Sequence, residues 1–401
     1  MSLKLHDYDR QLKRCLINLE NSKLSKKDKV LIIEFHNYCY SEGLSTPRVI
    51  HYVQQLKRLS ELSSKDLEKN SRKDIETIVR VIEQSILSGW TKQSYRVTLK
   101  KFYRWLRKSD DDPEEVKWIK TTLKNTQNSL LPEELVTEEE VKKLIEVAEN
   151  PRDKAFVSVL YESGCRVGEL ASVQLKHVTF DDYGAILLVD GKTGRRRVRV
   201  ISSTPAIGTW LDNHPQKDDP EAPLWISLGT RGHHTLISYS AICSMLRRLA
   251  RKANIKKKVN PHKFRHSRAT HLATHLTEAQ MKEHFGWTQG SNMASVYVHL
   301  SGRDVDNALL KAYGIKDDKK DKKESVLKPV NCKRCEELNS PTGKFCVKCG
   351  MPLNLETAIE LDSKRKNWDK IMNTLVEDPD VQKVLAKKIV ELGLKDQIYQ
   401  A

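Results

Sequence analysis

Two arginines, a lysine, a histidine and a tyrosine in the second and third quarters of this 401-residue chain are the residue types that could break a phosphodiester without a nucleotide cofactor or a catalytic metal. That reaction needs a nucleophile for phosphorus, cations for the non-bridging oxygens as charge develops on them, and an acid for the departing 5′ oxygen. Arginine is the strongest clamp, because its planar fork meets two phosphate oxygens at once. Arg166 lies in Ser163-Gly-Cys-Arg-Val-Gly-Glu-Leu170, where Gly164 permits a turn, Arg166 opens a helix and Glu169, three residues on, shares its face. Lys192 falls at a hairpin tip, from which a long ammonium stem can reach into a bound duplex. Pro261-His-Lys-Phe-Arg-His-Ser267 sets His262 and Arg265 about one helical turn apart, near enough to touch one phosphate. Phe285-Gly-Trp287 and then Tyr297-Val-His299 complete the series. Taken singly, each has an ordinary reading as a helix start, a solvated turn lysine or a buried aromatic.

A second constellation is independent of the first. Cys332-x-x-Cys335 and Cys346-x-x-Cys349, the latter followed by Gly350, place four thiolates on two tight knuckles ten residues apart. The pattern suits tetrahedral zinc, and with all four positions cysteine no position is left open for water, so the expected role is structural. The competing reading is a redox-active or metal-free cluster. Cys15, Cys39, Cys165 and Cys243 are scattered singly, which fits a reducing compartment rather than a disulfide framework. The histidine pairs His262/His266 and His271/His275 have metal-like spacing but no carboxylate motif beside them, so solvent, core or phosphate contacts are expected.

The elements that must position these groups are mostly helical. Residues 1–110 show apolar repeats at three- and four-residue spacing and read as a helical module, with starts at Thr46-Pro47, at Ser71 and after Gly89. In its last helix, 91–108, Tyr95, Leu99, Phe102 and Leu106 form an apolar stripe, while Lys92, Arg96, Lys100, Arg104 and Arg107 form a basic one suited to a phosphate backbone. The alternative for that stripe is a solvated face. Residues 111–134, acidic and polar with Pro113 and Pro132, read as a linker. A domain at 135–315 follows, opened by the Thr137/Glu140 capping box and helices to about 148 and over 152–162. A β-hairpin is expected within 178–201, with Val198 and Val200 alternating between arginines and a basic edge including Arg195 and Arg197, and helices return at 238–253 and 261–313. Gly191-Lys192-Thr193 mimics the end of a phosphate-binding loop, but Ile186 stands where its first glycine would be and a basic strand follows, so that reading is rejected. Residues 316–329 form a charged tether, 330–354 the cysteine ribbon and 355–401 a charged helical segment.

Arg-x-x-Glu, a hairpin lysine, His-x-x-Arg, Gly-Trp and Tyr-x-His, in this order, resemble the signature of the tyrosine recombinases, or integrases, over roughly residues 30–315. The Trp287 to Tyr297 spacing and the appended ribbon look more like archaeal or archaeal-virus members. The resemblance implies an α+β, mostly helical fold in which a helical core-binding domain and a mixed α/β catalytic domain clamp a duplex. It implies that Arg166 and Arg265 bind the scissile phosphate, Lys192 serves as general acid, and His262 helps activate or position the nucleophile. Glu169 supports the site, Trp287 fills a position held by His or Trp, and Tyr297 forms a 3′-phosphotyrosyl bond. A homo-tetramer on double-stranded DNA, integrating or excising a mobile element, is the implied use. The alternatives are a type IB topoisomerase, a metal-dependent nuclease or transposase, and a non-catalytic DNA-binding regulator.

Charge agrees with such a partner. Seventy Lys and Arg against 53 Asp and Glu give a net charge of +17, spread along the chain, which favours a polyanion. No stretch approaches the ~18 to 20 apolar residues of a membrane span and the N-terminus is too polar for a secretory signal, so a cytoplasmic protein without membrane association is expected.

Overall fold

The computed structural model describes residues 5, 7–122, 132–191, 193–229, 232–300, 313 and 325–392, with 132 and 298–300 as backbone only. The chain divides into two compact units, residues 6–130 and residues 1–5 with 131–401.

The first unit is helical. Helices α1 (Tyr8–Glu20), α2 (Lys26–Ser41), α3 (Thr46–Leu62), α4 (Arg72–Gln84) and α5 (Gly89–Leu106) pack around Phe35, Leu56, Leu59, Ile75, Phe102 and Tyr103. The starts differ slightly from expectation: Ser45 rather than Thr46 is the N-cap of α3, and Gly89 opens α5 behind a Ser88 cap whose hydroxyl accepts the Thr91 N–H. Asp28 is buried, and it is satisfied by the Ser60 hydroxyl and by the Leu67 N–H at 2.8 Å.

Residues 111–122 depart from the linker expectation. They fold back over α5 through a short helix, α6 (Glu114–Lys117), which drops Val116 and Ile119 into the core of this unit. Acidic composition mimicked a linker here because the carboxylates are used to pair the basic stripe of α5. The remaining stretch, 123–131, lies outside the described residues.

In the second unit α7 (Glu138–Glu146) begins with the expected capping box, the Thr137 hydroxyl accepting from Glu140 N. Helix α8 (Pro151–Ser163) is buried along most of its length, its Asp153 paired to Arg152 and Arg248, with Phe156 edge-on to Trp225 at 5.1 Å. Short α9 (Val167–Ala171) leads to an antiparallel sheet of β1 (Val178–Asp181), β2 (Gly184–Gly191) and β3 (Gly194–Val200), one strand more than the hairpin read from sequence. Ala185, Leu187, Val189, Val198 and Val200 turn into the main core. Helices α10 (Thr204–Asp212), α11 (Tyr239–Lys252), α12 (Pro261–Leu272), α13 (Glu278–Phe285) and α14 (Met293–Leu300) complete it. A smaller cluster of Ala269, Ala273, Met281, Phe285, Trp287, Ala294 and Tyr297 joins the last three.

The charged run read as a tether ends in anchored chain. Ser325 donates to Glu138 at 2.7 Å and Leu327 is buried in the main core, so the ribbon's entry point is fixed on this unit. The ribbon has one two-residue ladder, Val330–Asn331 against Leu338–Asn339, and two helices follow, Leu355–Glu377 and Pro379–Glu391. Among the described residues no helix is long and apolar enough to cross a membrane.

Candidate active site

Three helix boundaries converge on one point. Gly164 closes α8 at φ +56°, and a Cβ there would come within 2.5 Å of the Phe285 ring, so both conformation and close approach require glycine. Its carbonyl accepts from Arg265 Nη1 at 3.0 Å, while Phe285 O, at the end of α13, accepts from Nη2 at 2.7 Å. Arg265 is thus 7% exposed, held by two backbone carbonyls and set over the rings of Phe285 and Trp287 at 5.2 and 5.5 Å. Burial first, and the nearby Arg166 second, pull its pKa down to about 10, which leaves it charged at neutral pH and short of an anion.

Arg166 is the N-cap of α9. Glu169 accepts both its backbone N–H, at 3.0 Å, and its Nη1, at 2.7 Å, so one carboxylate orients main chain and guanidinium together. A second cation shares that carboxylate: Arg196 Nη2 donates to Glu169 at 2.7 Å. Burial of Glu169, 4% exposed, would raise its pKa, but the hydrogen bonds from Arg196 and Arg166 outweigh this and hold it below the ordinary range. Arg196 also donates to His284 O at 3.1 Å and packs on Gly286, where a Cβ would lie 2.8 Å from Nη1. Strand alternation accounts for Arg196: residues 196, 198 and 200 share the inward face of β3. Sequence reasoning treated the arginines of this strand as one basic edge, although Val198 and Val200 already marked the inward parity. Arg195 and Arg197 are on the exposed parity, as expected.

Helix α14 presents Tyr297, 3% exposed, with its ring stacked on Trp287 at 5.5 Å and 2° between planes. Burial raises the phenol pKa to about 12, with Arg265 opposing. The hydroxyl lies 2.5 Å from His266 Nδ1. His266 was not singled out from sequence as a partner of the tyrosine, although its spacing from His262 puts both on one face of α12. Arg166, His262, Arg265, His266, Trp287 and Tyr297 all line one open cleft of about 440 Å³, joined at its rim by Thr193, whose hydroxyl donates to Gly286 O at 3.3 Å. Lys192 lies outside the described residues; its neighbours Gly191 and Gly194 pair across the β2–β3 turn.

The basic stripe of α5 forms as read, but its cations are engaged within their own unit. Lys100 pairs with Asp112 at 2.6 Å and Arg104 with the same carboxylate at 3.1 Å. Arg96 donates to Lys120 O at 2.8 Å and faces Glu83 at 3.5 Å, Lys92 donates to Glu83 O at 2.6 Å, and Arg107 pairs with Glu115 at 2.9 Å. The stripe is thus paired within its own unit, by Glu83 of α4 at one end and by the folded-back 110–120 segment along the rest.

In the ribbon the four cysteine sulfurs lie within 4.8 Å of one another. The Cys332–Cys349 and Cys335–Cys346 separations are 3.5 Å each, close to the ~3.8 Å edge of a tetrahedron with zinc–sulfur bonds of about 2.3 Å. Arg334 N–H and Asn339 Nδ2 donate to Cys332 and Cys346 sulfurs, at 3.4 and 3.7 Å, the outer hydrogen bonds a thiolate metal site uses.

Residues 134–303 match the phage integrase family. The chain is 25% identical over 283 residues to tyrosine recombinase XerA of Pyrococcus horikoshii, spanning 70% of this chain and 93% of that one. Residues 134–303 thus carry a phage integrase domain, in a chain similar to the tyrosine recombinases. A further relative, tyrosine recombinase XerC of Vibrio parahaemolyticus, is 26% identical over 293 residues, 70% of this chain and 91% of that protein. The fold is shared with the XerH site-specific recombinase bound to its palindromic difH substrate, at a TM-score of 0.52 and 18% identity over 79% of this chain and 99% of that one. The chain is accordingly a DNA strand-transferring enzyme of site-specific recombination, with the expected mostly helical α+β fold. All of Arg166, His262, Arg265, Trp287 and Tyr297 fall inside the matched segment, and the cysteine ribbon falls outside it.

Proposed function

We propose that Tyr297 attacks the scissile phosphorus of double-stranded DNA while Arg166 and Arg265 hold its non-bridging oxygens, and that the observation carrying this is the single cleft lined by all three. The phenol oxygen forms a 3′-phosphotyrosyl bond and the 5′ oxygen leaves, with Lys192 as its acid. A phosphotyrosyl ester keeps the energy of the broken bond, so rejoining requires no ATP and no nucleotide site. Glu169, anchored by Arg196, keeps Arg166 aimed into the cleft. Four strand breaks in two duplexes call for four such sites, hence a homo-tetramer on DNA, and the biological use is integration or excision of a mobile element.

The test is covalent trapping. Nicked duplexes from a randomised library are incubated with the protein in EDTA, and denaturation-resistant complexes are digested and sequenced by mass spectrometry. A DNA 3′-phosphate on Tyr297 is expected; cleavage that disappears with EDTA, or product ends without attached protein, refutes the reading.

The four ribbon cysteines would hold a structural Zn2+, which would supply the crosslink that so small a two-strand element lacks. One zinc per chain is expected by elemental analysis. Strong chelation or Cys346→Ser should expose residues 330–354 to proteolysis while the 135–300 core stays resistant, because the ribbon carries little apolar core of its own. Equal resistance with and without the metal would refute the assignment.

A further inference from the structure

The phenol proton of Tyr297 has to leave as its oxygen bonds to phosphorus, and the cleft offers two histidines on one face of α12. We infer that His266, not His262, is the catalytic base that takes it. This rests on the reading of Tyr297 as nucleophile.

The geometry separates the two imidazoles. His266 Nδ1 lies 2.5 Å from the Tyr297 hydroxyl, and among the described residues it is the group hydrogen-bonded to that oxygen. His262 is exposed at the cleft wall and shares no hydrogen bond with the phenol among the described residues. The rings of His266 and Tyr297 lie 5.9 Å apart and tilted by 35°, while the opposite side of the tyrosine is fixed by the Trp287 stack. Rotation of the phenol away from His266 therefore requires the stack to open.

Protonation states fit the role. The titratable and charged groups that line the cleft with His266 are His262 and Arg265 on its own helix, Arg166 across the cleft and Tyr297 from α14. Burial, then His262 and Arg265, hold the imidazole below its ordinary pKa, so it is neutral at pH 7, and the tautomer with its proton on Nε2 lets Nδ1 accept from the phenol. Buried, uncharged Tyr297 is correspondingly the donor. A neutral imidazole and a phenol near 12 do not exchange a proton at rest. Transfer becomes favourable as the P–O bond forms and the ester oxygen loses its basicity. The arriving phosphodiester also adds a negative charge to a cleft of cations, which raises the imidazole pKa when a proton is needed there. In that step the O–H bond breaks, the O–P bond forms, the proton goes to His266 Nδ1, and the P–O5′ bond breaks with the 5′ oxygen protonated separately. Religation runs the same transfer backwards, the imidazolium returning its proton to the phenol.

The experiment compares parent, His266→Gln and His266→Ala in single-turnover adduct formation on the trapped duplex across pH, with DNA affinity followed by gel shift. Parent rates should rise about tenfold per pH unit on the acid side and level off as His266 becomes neutral. Both variants should bind DNA like the parent but cleave at least about 100-fold more slowly near neutrality, without that acid limb. Added imidazole should restore part of the rate to His266→Ala. On a duplex with a 5′-bridging sulfur, which leaves without an acid, the deficit should persist, since a base acts on the nucleophile. Variant cleavage within about threefold of parent overturns the proposal, as does rescue by the sulfur substrate, which would make His266 the leaving-group acid. Should the variants misfold, a parent profile with no acid limb down to about pH 4 overturns it equally. If the parent forms no adduct at Tyr297 at all, it is the nucleophile assignment that fails.

Discussion

Tyr297→Phe should lower the yield of covalent protein–DNA complex by about 10⁴-fold or more, to the detection floor, while DNA affinity and melting temperature stay near those of the parent. The substitution removes one oxygen and nothing else the site depends on. The phenyl ring keeps its stack on Trp287, at 5.5 Å, and its place in the small cluster of Phe285, Ala294 and Met281. The loss inside the fold is the hydrogen bond to His266, leaving an imidazole nitrogen that the open cleft can hydrate, at a cost of about 1 kcal/mol. Binding runs through many phosphates and is indifferent to the nucleophile. The assay is denaturing electrophoresis of the trapped complex beside a gel shift of the non-covalent one. Undiminished adduct, mapped to another tyrosine, would sink the assignment.

What the sequence conveyed, and what it hid, follows from the range of the interactions involved. Arg166, Glu169, His262 and Arg265 are tied by local rules, a glycine turn before a helix, an i, i+3 pair and one helical turn between His262 and Arg265, whereas Trp287 and Tyr297 were picked out only by the resemblance of the whole ordered set to the recombinase signature. The two CxxC knuckles were legible for the same reason, since metal ligation fixes both residue type and short spacing. Arg196 was passed over although strand parity was available, because a lone buried arginine makes sense only once Glu169 and the end of α13 are known to face it. His266 was set aside as one of two metal-like histidine pairs, and its actual partner lies 31 residues away on another helix. The 110–120 segment misled for a different reason. Its acidic composition is that of a solvated linker, yet Asp112 and Glu115 neutralise α5 while Val116 and Ile119 supply its packing. Composition records how many charges a segment has, not where their counter-charges are.

Arg265→Lys retains a cation and should still lose about 10²- to 10³-fold in cleavage rate, because at this position geometry and pKa both matter. The guanidinium uses two nitrogens on Gly164 O and Phe285 O, lies over two aromatic faces, and still presents an edge to the cleft. An ammonium has no such fork, so it either satisfies the buried carbonyls or faces the phosphate. Leaving a carbonyl unpaired should also cost about 1–3 kcal/mol of stability, visible as a lowered melting temperature. The pH response separates this from simple misplacement. Burial and Arg166 pull Arg265 down to about 10, which is harmless to a guanidinium at neutral pH. A lysine starts about two units lower, near 10.4, and the same surroundings would bring its charge loss toward neutrality. The ammonium is then present below its depressed pKa and lost as pH rises through it, so the residual activity of Arg265→Lys should fall above neutrality while the parent's does not. Single-turnover cleavage from about pH 6 to 9 provides the check. A lysine variant that cleaves within about threefold of parent and tracks its pH profile would show that charge alone suffices, and that the two-carbonyl anchorage of Arg265 has no part in holding the scissile phosphate.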